Sequence, residues 1–245
     1  MVKGIYSAAN GLLVQSLRTD LIAGNLAGVS VVGFRGEVAR VASFPRSWTL
    51  AAAGAAGPGG VTALLAPEGV VDLRPGALRA TGGRLDLALE GPGFFCVRTA
   101  SGEAYTRSGA FRLDAAGTLV TAAGDPVLGE AGPIRVSGSD VAVSGAGEVV
   151  VDGASVARLR LVDFPPGVAV IRLGQGLLGV ASPANQLPSA TEARVRQGYL
   201  EEANVDALRE LAAMISALRA FEASQRAVQA HDETIATAIS EVGRV

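Results

Sequence analysis

The sequence predicts an α+β protein in which helices from the two chain ends form one coiled-coil-like domain and the middle forms a mostly antiparallel β domain. Three observations support this fold class. Residues 205–245 contain no proline and no glycine before Gly243, and they are rich in strong helix formers. The first 23 residues carry apolar side chains close to helical spacing. Between these ends, short apolar runs alternate with glycine, proline and aspartate turn signals.

The helical domain is predicted to consist of residues 1–30 and 205–245, and the helical spacing of its N-terminal helix covers residues 5–23. Gly24 and Asn25 are suitable residues for ending it. Neither this helix nor the C-terminal one has enough apolar surface to be stable alone. We therefore expect the two helices to pair with each other or with neighbouring copies. The apolar positions of the N-terminal helix are Ile5, Ala9, Leu12, Leu13, Leu17 and Leu21.

The C-terminal helix is predicted to start after Asn204, a good N-cap residue, and to close at Gly243. Asp206 and Glu210 place negative charge in its first turns, where the helix dipole favours it. At about 1.5 Å per residue, a helix of nearly 40 residues is roughly 57 Å long, longer than a small domain is wide. Such a helix needs a partner helix, although it could also lie across its own domain.

The apolar residues of this helix form a narrow seam with one break in phase. A 3-4-3 spacing is typical of helix-to-helix packing rather than of a broad buried face, and it places Leu208, Leu211, Ile215 and Leu218 in line. Phe221 comes three residues after Leu218, whereas the repeating 3-4-3 spacing predicts an interval of four residues there. The new phase is then held by Val228, Ile235, Ile239 and Val242, with Gln225 and Asp232 as polar interruptions.

The middle of the chain is predicted to be a β domain over residues 70–204. Recurring Gly, Pro and Asp signals up to residue 134 are typical of an antiparallel meander, and a second β-rich part follows at 141–180. Alternation over 110–113 and 118–120 suits strands with one solvent-facing side. The core is expected to include Phe94 and Phe95.

Residues 31–69 are predicted to form an extended segment and a flexible, Ala/Gly-rich loop between the first helix and the β domain. The run from Ser47 to Pro67 is free of charge and long enough to suggest a membrane span, but its glycines and Pro58 argue against one.

Composition excludes several classes of protein. With 21 Lys and Arg against 23 Asp and Glu, the net charge is −2, and the basic residues are scattered. Nothing in that balance suggests nucleic acid or an anionic membrane as a partner. The single cysteine, Cys96, leaves no internal disulfide. No cleavable secretory signal is expected, because Lys3 is a lone basic residue and Arg18 and Asp20 soon break the apolar stretch.

An enzyme finds little support among the candidate reactive groups. Residues 174–179 fit the dinucleotide fingerprint GxGxxG, but Pro183 and Pro188 follow where a helix is required, so a glycine-rich hairpin is favoured. His231, the only histidine, lies next to Asp232 on a helix, where adjacent side chains point in different directions. We interpret it as a solvated or inter-subunit residue.

The remaining candidates also have structural explanations. Cys96 follows two phenylalanines in a predicted strand, where a buried and inert thiol is usual. Glu201 and Glu202 precede a helix start, and the helix dipole is a sufficient reason for acidic residues there. The sequence therefore predicts no catalytic site, no cofactor and no metal.

Three separate segments resemble the flagellar basal-body rod and hook family. IAGNLAGVSVVGFR at 22–35 is similar to the family signature in which a helix ends in Ala-Asn-Asn-Leu-Ala-Asn-Val and Gly-Phe-Lys or Gly-Phe-Arg follows. The matching residues are Ala23, Asn25, Leu26, Ala27, Val29, Gly33, Phe34 and Arg35. The departures, each in place of a usual Asn or Thr, are Gly24, Gly28, Ser30, Val31 and Val32.

The other two segments follow in the order that the family has them. TGGRLDLALEGPGFFCV at 81–97, with AYTRSGAF and LVTAAGDPVLG after it, resembles the family's core β domain. GYLEEANV at 198–205 is similar to the Gly-x-Leu-Glu-x-Ser-Asn-Val motif, with Ala203 in place of Ser. The resemblance covers about residues 1–35 and 70–245.

The resemblance implies a structural role. Subunits of this kind stack helically into a hollow axle that crosses the periplasm, with the terminal helices lining the tube and the β domain outside. It also implies export through the flagellar type III machinery without a cleaved signal peptide. The partners are then other copies, neighbouring rod proteins and that machinery, with no nucleic acid or small-molecule substrate. Terminal helices that are weak alone are expected to order on assembly.

Within the family, the short central region argues against the hook protein. We favour a proximal rod protein over the distal one, because the Ala/Gly loop is unlike the longer polar insertion expected in the distal rod. The alternatives from other classes are a soluble coiled-coil interaction protein, an adhesin-like surface protein and a hydrolytic enzyme. The residues predicted to form the assembly interface are Leu12, Leu13, Leu17, Leu21, Asn25, Leu26, Gly33, Phe34, Asn204, Val205, Leu208, Leu211, Ile215, Leu218, Phe221, Ile235 and Ile239.

Overall fold

The computed structural model describes most of the chain as two compact units. The described residues are 2–42, 66–138, 140–165, 167–181, 189–191 and 193–242. As far as they are described, Met1–Leu26, Glu37–Val70 and Ala207–Val245 form the helical unit, and Ala27–Gly36 and Val71–Asp206 form the β unit. Most of the predicted Ala/Gly loop falls on 43–65, outside the described residues.

The helical unit consists of two long helices and a two-stranded sheet. Helix α1 spans Val2–Gly28 and helix α2 spans Ala207–Val242. The two helices pack together, which confirms the predicted pairing of the chain ends. The sheet is formed by β1 (Glu37–Ala42) and β2 (Ala66–Val71). Neither described helix combines the length and hydropathy needed to cross a membrane.

Helix α1 continues through the two residues that were predicted to end it. The Asn25 amide is held by tertiary bonds, because its Nδ2 donates to the Glu37 carbonyl and its Oδ1 accepts from the Glu37 N–H, both at 2.8 Å. With its polar atoms bonded to another segment, Asn25 does not compete for the backbone bonds of its own helix. The helix ends at Gly28, whose carbonyl accepts a bond from the Val31 N–H. The prediction that Gly24 and Asn25 stop the helix was therefore wrong.

Asn204 is not the N-cap of α2. The helix starts at Ala207, which places Asp206 at the capping position. The Asn204 amide instead accepts a bond from the Gly36 N–H and donates to the carbonyls of Asp72 and Arg74. Glu210 lies in the first turn, as predicted. The predicted stop at Gly243 lies outside the described residues.

The β unit is built around a six-stranded antiparallel sheet. In spatial order its strands are β15 (Val170–Gly174), β16 (Leu177–Val180), β6 (Gly102–Thr106), β5 (Phe94–Thr99), β14 (Leu161–Asp163) and β17 (Ser189–Ala190). A three-stranded sheet contains β11 (Val141–Val143), β12 (Glu148–Val151) and β13 (Ala154–Arg158). The other strands pair in twos: β3 (Leu78–Ala80) with β19 (Tyr199–Glu201), β4 (Leu87–Glu90) with β18 (Arg194–Gln197), β7 (Arg112–Leu113) with β8 (Leu119–Val120), and β9 (Leu128–Gly129) with β10 (Gly132–Pro133).

Strand β5 is buried on both of its faces. Successive side chains of a strand point to opposite sides, so Phe95 joins one hydrophobic cluster while Phe94 and Cys96 join another. The Phe95 ring meets Phe111 edge to face at 5.1 Å, and the Phe94 ring lies 4.8 Å from Phe164. The prediction that Phe94 and Phe95 lie in the core is confirmed.

The predicted antiparallel meander is present, but one of its strands has no solvent-facing side. Thr118, Leu119 and Val120 are all buried. Leu119 belongs to the same hydrophobic cluster as Phe95, and β8 also has neighbours along both edges. It pairs with β7 on one side, and Val120 bridges to Pro126 on the other. The expectation of one wet face at 118–120 was therefore wrong.

Candidate assembly surface

Helix α2 carries two apolar stripes on different faces. The first stripe, which we call the seam, consists of Leu208, Leu211, Ile215 and Leu218, and these side chains are 44–79% exposed. The second stripe holds Phe221, Val228 and Ile235, which are half-buried and share a side with the fully buried Ala217. At about 100° per residue, the seam is centred roughly 140° away from Ala217. The break in phase at Phe221 therefore marks the change from an outward to an inward stripe.

The inward side of α2 is made mostly of small residues. Ala213, Ala217 and Ala220 lie there at least half-buried, whereas the larger aliphatic side chains of the seam face outward. On α1, Leu13 is likewise 63% exposed. Single exposed leucines are common, but a contiguous apolar patch on a soluble surface usually marks an interaction site. The helical unit thus carries an apolar surface that the described residues leave exposed.

A cavity of about 440 Å³ lies within the helical unit, and we call it the groove. Its lining comes from both helices and from β1. The Oε1 atom of Gln15, one of the lining residues, is buried and accepts no hydrogen bond from the described residues. The lining residues are Val14, Gln15, Arg18, Leu21, Ile22, Asn25, Glu37, Val38, Ala39, Glu210 and Ala213.

The predicted interface residues fall into three groups by exposure. Leu13 and the seam are exposed. Asn25, Gly33 and Phe34 are buried within their own units, so their contacts serve the fold of one chain. The side chain of Ile239 lies outside the described residues. The half-buried members are Leu12, Leu17, Leu21, Leu26, Asn204, Val205, Phe221 and Ile235.

The β unit contains a buried ion triad that the sequence analysis missed. The Glu201 carboxylate accepts from Arg35 Nη2 at 2.5 Å and from Arg107 Nη1 at 3.1 Å, and all three side chains are almost completely buried. The Gly76 N–H also donates to Glu201 Oε1 at 2.7 Å. The explanation of Glu201 by the helix dipole was therefore wrong, because this carboxylate is committed to the triad six residues before α2 begins. Glu202 is exposed and pairs with Arg79 at 3.1 Å.

Two arginines share one carboxylate in this triad, so the cluster carries excess positive charge. Burial lowers the pKa of the Arg107 guanidinium, and the charge of Glu201 opposes that shift. Arg107 donates further bonds to the carbonyls of Leu89 and Gly91. Three guanidinium nitrogens of the triad have no hydrogen-bond partner among the described residues: Nε and Nη1 of Arg35, and Nε of Arg107. The cluster consequently depends strongly on Glu201.

The segment that follows α1 and the segment that leads to α2 lie side by side in the β unit. The Gly33 N–H donates to the Glu201 carbonyl at 2.7 Å, and the Asn204 N–H donates to the Phe34 carbonyl at 3.2 Å. Gly33 has φ +67°, and a Cβ there would collide with the backbone of Arg107, so only glycine fits. The resemblance pointed to both motifs, and the structure adds that they are joined to each other. The available signal was Arg35, the single charged residue of the motif at 22–35.

The candidate reactive groups have structural roles where they are described. Residues 174–179 form the turn of the β15–β16 hairpin, with Gln175 and Gly176 at positive φ, which confirms the predicted glycine-rich hairpin. Cys96 is buried, as predicted, and burial raises the pKa of its thiol to about 12, which disfavours the reactive thiolate. The side chain of His231 lies outside the described residues. Among the residues described, no three His, Cys, Asp or Glu side chains gather as a metal site.

Comparison with known proteins gives two family matches. The family described as flagellar basal body rod FlgEFG protein C-terminal matches residues 196–241. The family described as flagellar hook protein FlgE/F/G D1 domain matches residues 88–151. These matches cover much of the second and third segments that carried the resemblance.

Individual relatives extend the similarity over almost the whole chain. The flagellar basal-body rod protein FlgG of Bacillus subtilis (strain 168) is 32% identical, and the alignment covers 96% of this chain and 97% of that protein. The flagellar basal-body rod protein FlgF of Rhizobium meliloti (strain 1021) is 29% identical over 91% of this chain and 90% of its own length. The flagellar hook protein FlgE of Treponema pallidum (strain Nichols) is 34% identical, but the alignment covers 49% of this chain and 27% of that protein. The chain belongs to the FlgE/F/G family of flagellar basal-body rod proteins.

Proposed function

We propose that this FlgG/FlgF-like structural subunit of the flagellar basal-body rod polymerises through its helical unit into the hollow axle that crosses the periplasm and transmits torque from motor to hook. The observation that carries the proposal is the seam. Its large aliphatic side chains stay in water in the single chain, although α2 has paired with α1. Covering such a surface with another copy removes apolar area from water and favours association.

The chain's relatives favour a rod role over a hook role. The FlgG and FlgF relatives align over nearly the full length of both proteins, whereas the hook protein shares only part of its length with this chain. Membership of a structural family confirms the prediction that the chain is not an enzyme. The choice of a proximal over a distal rod position rests on the loop around 43–65, outside the described residues, and it stays a prediction.

Assembly with copies of itself and with neighbouring rod proteins follows from the proposed role. We also propose that the chain passes through the flagellar type III machinery without a cleaved signal peptide. This part of the proposal is supported by the family membership. Secretion of the chain by a strain with flagellar export, and its retention in the cytoplasm when export is blocked, would support this part.

The central experiment follows assembly of the purified full chain as its concentration rises. Sedimentation velocity and electron microscopy should show open-ended, head-to-tail polymers rather than a closed oligomer. Amide hydrogen exchange should slow in 207–242 on assembly, while the β unit keeps the protection it has in the monomer. A closed dimer or tetramer, already protected throughout α2 at low concentration, would instead favour a soluble coiled-coil protein.

A further inference from the structure

We propose that the seam of one copy docks into the groove of the next copy, with Arg219 entering the groove to pair with Glu210. The inference rests on the proposed function and deepens it, because it names the surface that receives the seam. The groove and the seam both belong to the helical unit. The occupant is therefore a second copy of this chain.

The groove has the size and chemistry of a receptor for aliphatic side chains. Its volume of about 440 Å³ is about three times the ~150 Å³ cavity that can hold one benzene-sized apolar ligand. The wall is largely apolar, with Val14, Leu21 and Ile22 on the side of α1 and Ala213 on the side of α2. The apolar part of the seam is about 15 Å long, from Leu208 to Leu218. Several of its side chains can therefore enter the groove together.

Two charged groups complement each other across this contact. Glu210 lines the groove, is half-buried and forms no ion pair with any described residue. Arg219 flanks the seam one residue after Leu218, is exposed, and likewise has no ion pair within the described chain. The groove is lined by one arginine, Arg18, and by two carboxylates, Glu37 and Glu210, so an arginine from a second copy would balance its charge.

The buried amide of Gln15 gives a second, independent reason for an arginine. Its Oε1 atom is removed from water and accepts no bond within the described chain. A buried acceptor without a donor is costly, so a native site usually supplies one. The guanidinium group has five N–H donors in a planar fork. Arg219 of the neighbouring copy can serve both the Glu210 carboxylate and the Gln15 carbonyl.

The positions of the two surfaces explain why this contact extends rather than closes. At about 100° per residue, Glu210 and Arg219 lie on opposite sides of α2. Each copy therefore offers the groove on one side and the seam on the other. A contact between two different surfaces of the same protein is head to tail, and it continues as a filament unless the rotation closes a ring.

A charge swap tests the pairing directly. Arg219→Glu and Glu210→Arg should each raise the critical concentration for assembly of the full chain at least about tenfold, because like charges then meet in the groove. The variant carrying both changes restores opposite charges in every contact, and its critical concentration should return to within about threefold of the wild-type value. Arg98→Glu, the same charge change at an exposed position near the end of β5 in the β unit, is the matched control and should assemble as wild type.

The outcomes separate this inference from the proposed function. Two results would overturn the pairing but leave the proposed function intact. In the first, each single variant assembles at the same critical concentration as the wild type. In the second, the double variant assembles no better than the single variants, although circular dichroism shows that its helices are folded. A wild-type chain that stays monomeric at every concentration would remove both proposals. Helix content is measured for each variant, because Glu210 also lies in the first turn of α2, where its charge favours the helix.

Discussion

The β unit and the helical unit differ in the burial of their large apolar side chains. In the β unit, Phe94 and Phe95 lie on opposite faces of β5, and both are covered by neighbouring strands. In the helical unit, α2 turns alanines inward and leaves the leucines and isoleucine of the seam in water. The core of the β unit is therefore covered within one chain, whereas the helical unit leaves an apolar surface uncovered by the described residues.

The energies involved are large enough for this difference to matter. Fully burying a Leu or Ile side chain contributes about 1.5–3 kcal/mol, so the partly exposed seam could contribute several kcal/mol to association. The β unit also exposes three large aliphatic residues, Val156, Ile171 and Leu173, but they are divided between β13 and β15. Four aligned residues on one helix face form a more continuous surface. The comparison predicts that variants of the β unit affect the monomer, whereas variants of the seam affect assembly.

The largest effect on the monomer is expected from Glu201→Ala. Removing this carboxylate leaves Arg35 and Arg107 buried without a counter-charge, and breaking a buried pair in this way costs about 4–5 kcal/mol. Urea denaturation followed by circular dichroism measures the loss. Glu202→Ala is the matched control, because its carboxylate is exposed and its ion pair with Arg79 should contribute less than about 1 kcal/mol. Equal losses for the two variants would contradict the structural role of the triad.

A slightly smaller effect is expected from Phe95→Ala. The ring is fully buried against Phe111, and truncating a buried phenylalanine typically costs about 3–4 kcal/mol because a cavity remains. The free energy of unfolding of the β unit should fall by that amount, while the helical unit keeps the surface that drives assembly. A Phe95→Leu variant, which fills more of the cavity, should lose clearly less. A change below about 1 kcal/mol for Phe95→Ala would show that the core of the β unit is not as described.

A third effect depends on pH and comes from Cys96. Burial raises the pKa of the folded thiol to about 12, whereas an exposed thiol in the unfolded chain titrates near about 8.5. The folded state holds its proton more tightly, so the free energy of unfolding falls as pH rises above about 8.5 until the folded thiol also ionises. The loss between pH 8 and pH 10 should be about 2 kcal/mol from this group.

Cys96→Ala isolates that contribution. The variant removes the thiol, and its free energy of unfolding should change less between pH 8 and pH 10 than that of the wild type. Burial also raises the pKa of Tyr105, which adds a change of the same sign, and the variant keeps this second contribution. Identical pH dependence in the two proteins would show that the Cys96 thiol is not protected by the fold.

The sequence predicted the elements better than their ends and their tertiary bonds. The two long helices, the hairpin at 174–179 and the buried phenylalanines follow from periodicity and turn chemistry, which are local. Asn25 and Asn204 were misinterpreted because their amides bond to segments far away in the chain, at Glu37 and at Gly36. Long-range partners of this kind leave no spacing pattern in the sequence.

The same limit applies to the candidate site. The seam was visible as a 3-4-3 pattern, and the break at Phe221 was visible too, but a pattern gives the angle between stripes and not which stripe faces inward. The triad was not visible, because its three members are separated by 72 and 94 residues along the chain, as the differences 107 − 35 and 201 − 107 show. Charged residues are rarely buried, so a solvated glutamate was the reasonable expectation from sequence alone.

The smallest effect on the monomer, and the clearest separation between the two kinds of surface, is expected from Ile215→Asp. Ile215 is 55% exposed, so an aspartate there should change the free energy of unfolding of the monomer by less than about 0.5 kcal/mol. Assembly should nevertheless be lost, because the carboxylate would be buried without a partner at every contact. Ala217→Asp on the same helix should do the reverse and destabilise the pairing of α1 with α2, because Ala217 is 1% exposed. Sedimentation measures the assembly of the two variants, and denaturation measures their free energy of unfolding. The two substitutions are two residues apart, one on the outward face of α2 and one on the inward face. Normal assembly of the Ile215→Asp chain would show that the seam faces solvent in the rod as well, and the assembly surface would then have to lie elsewhere.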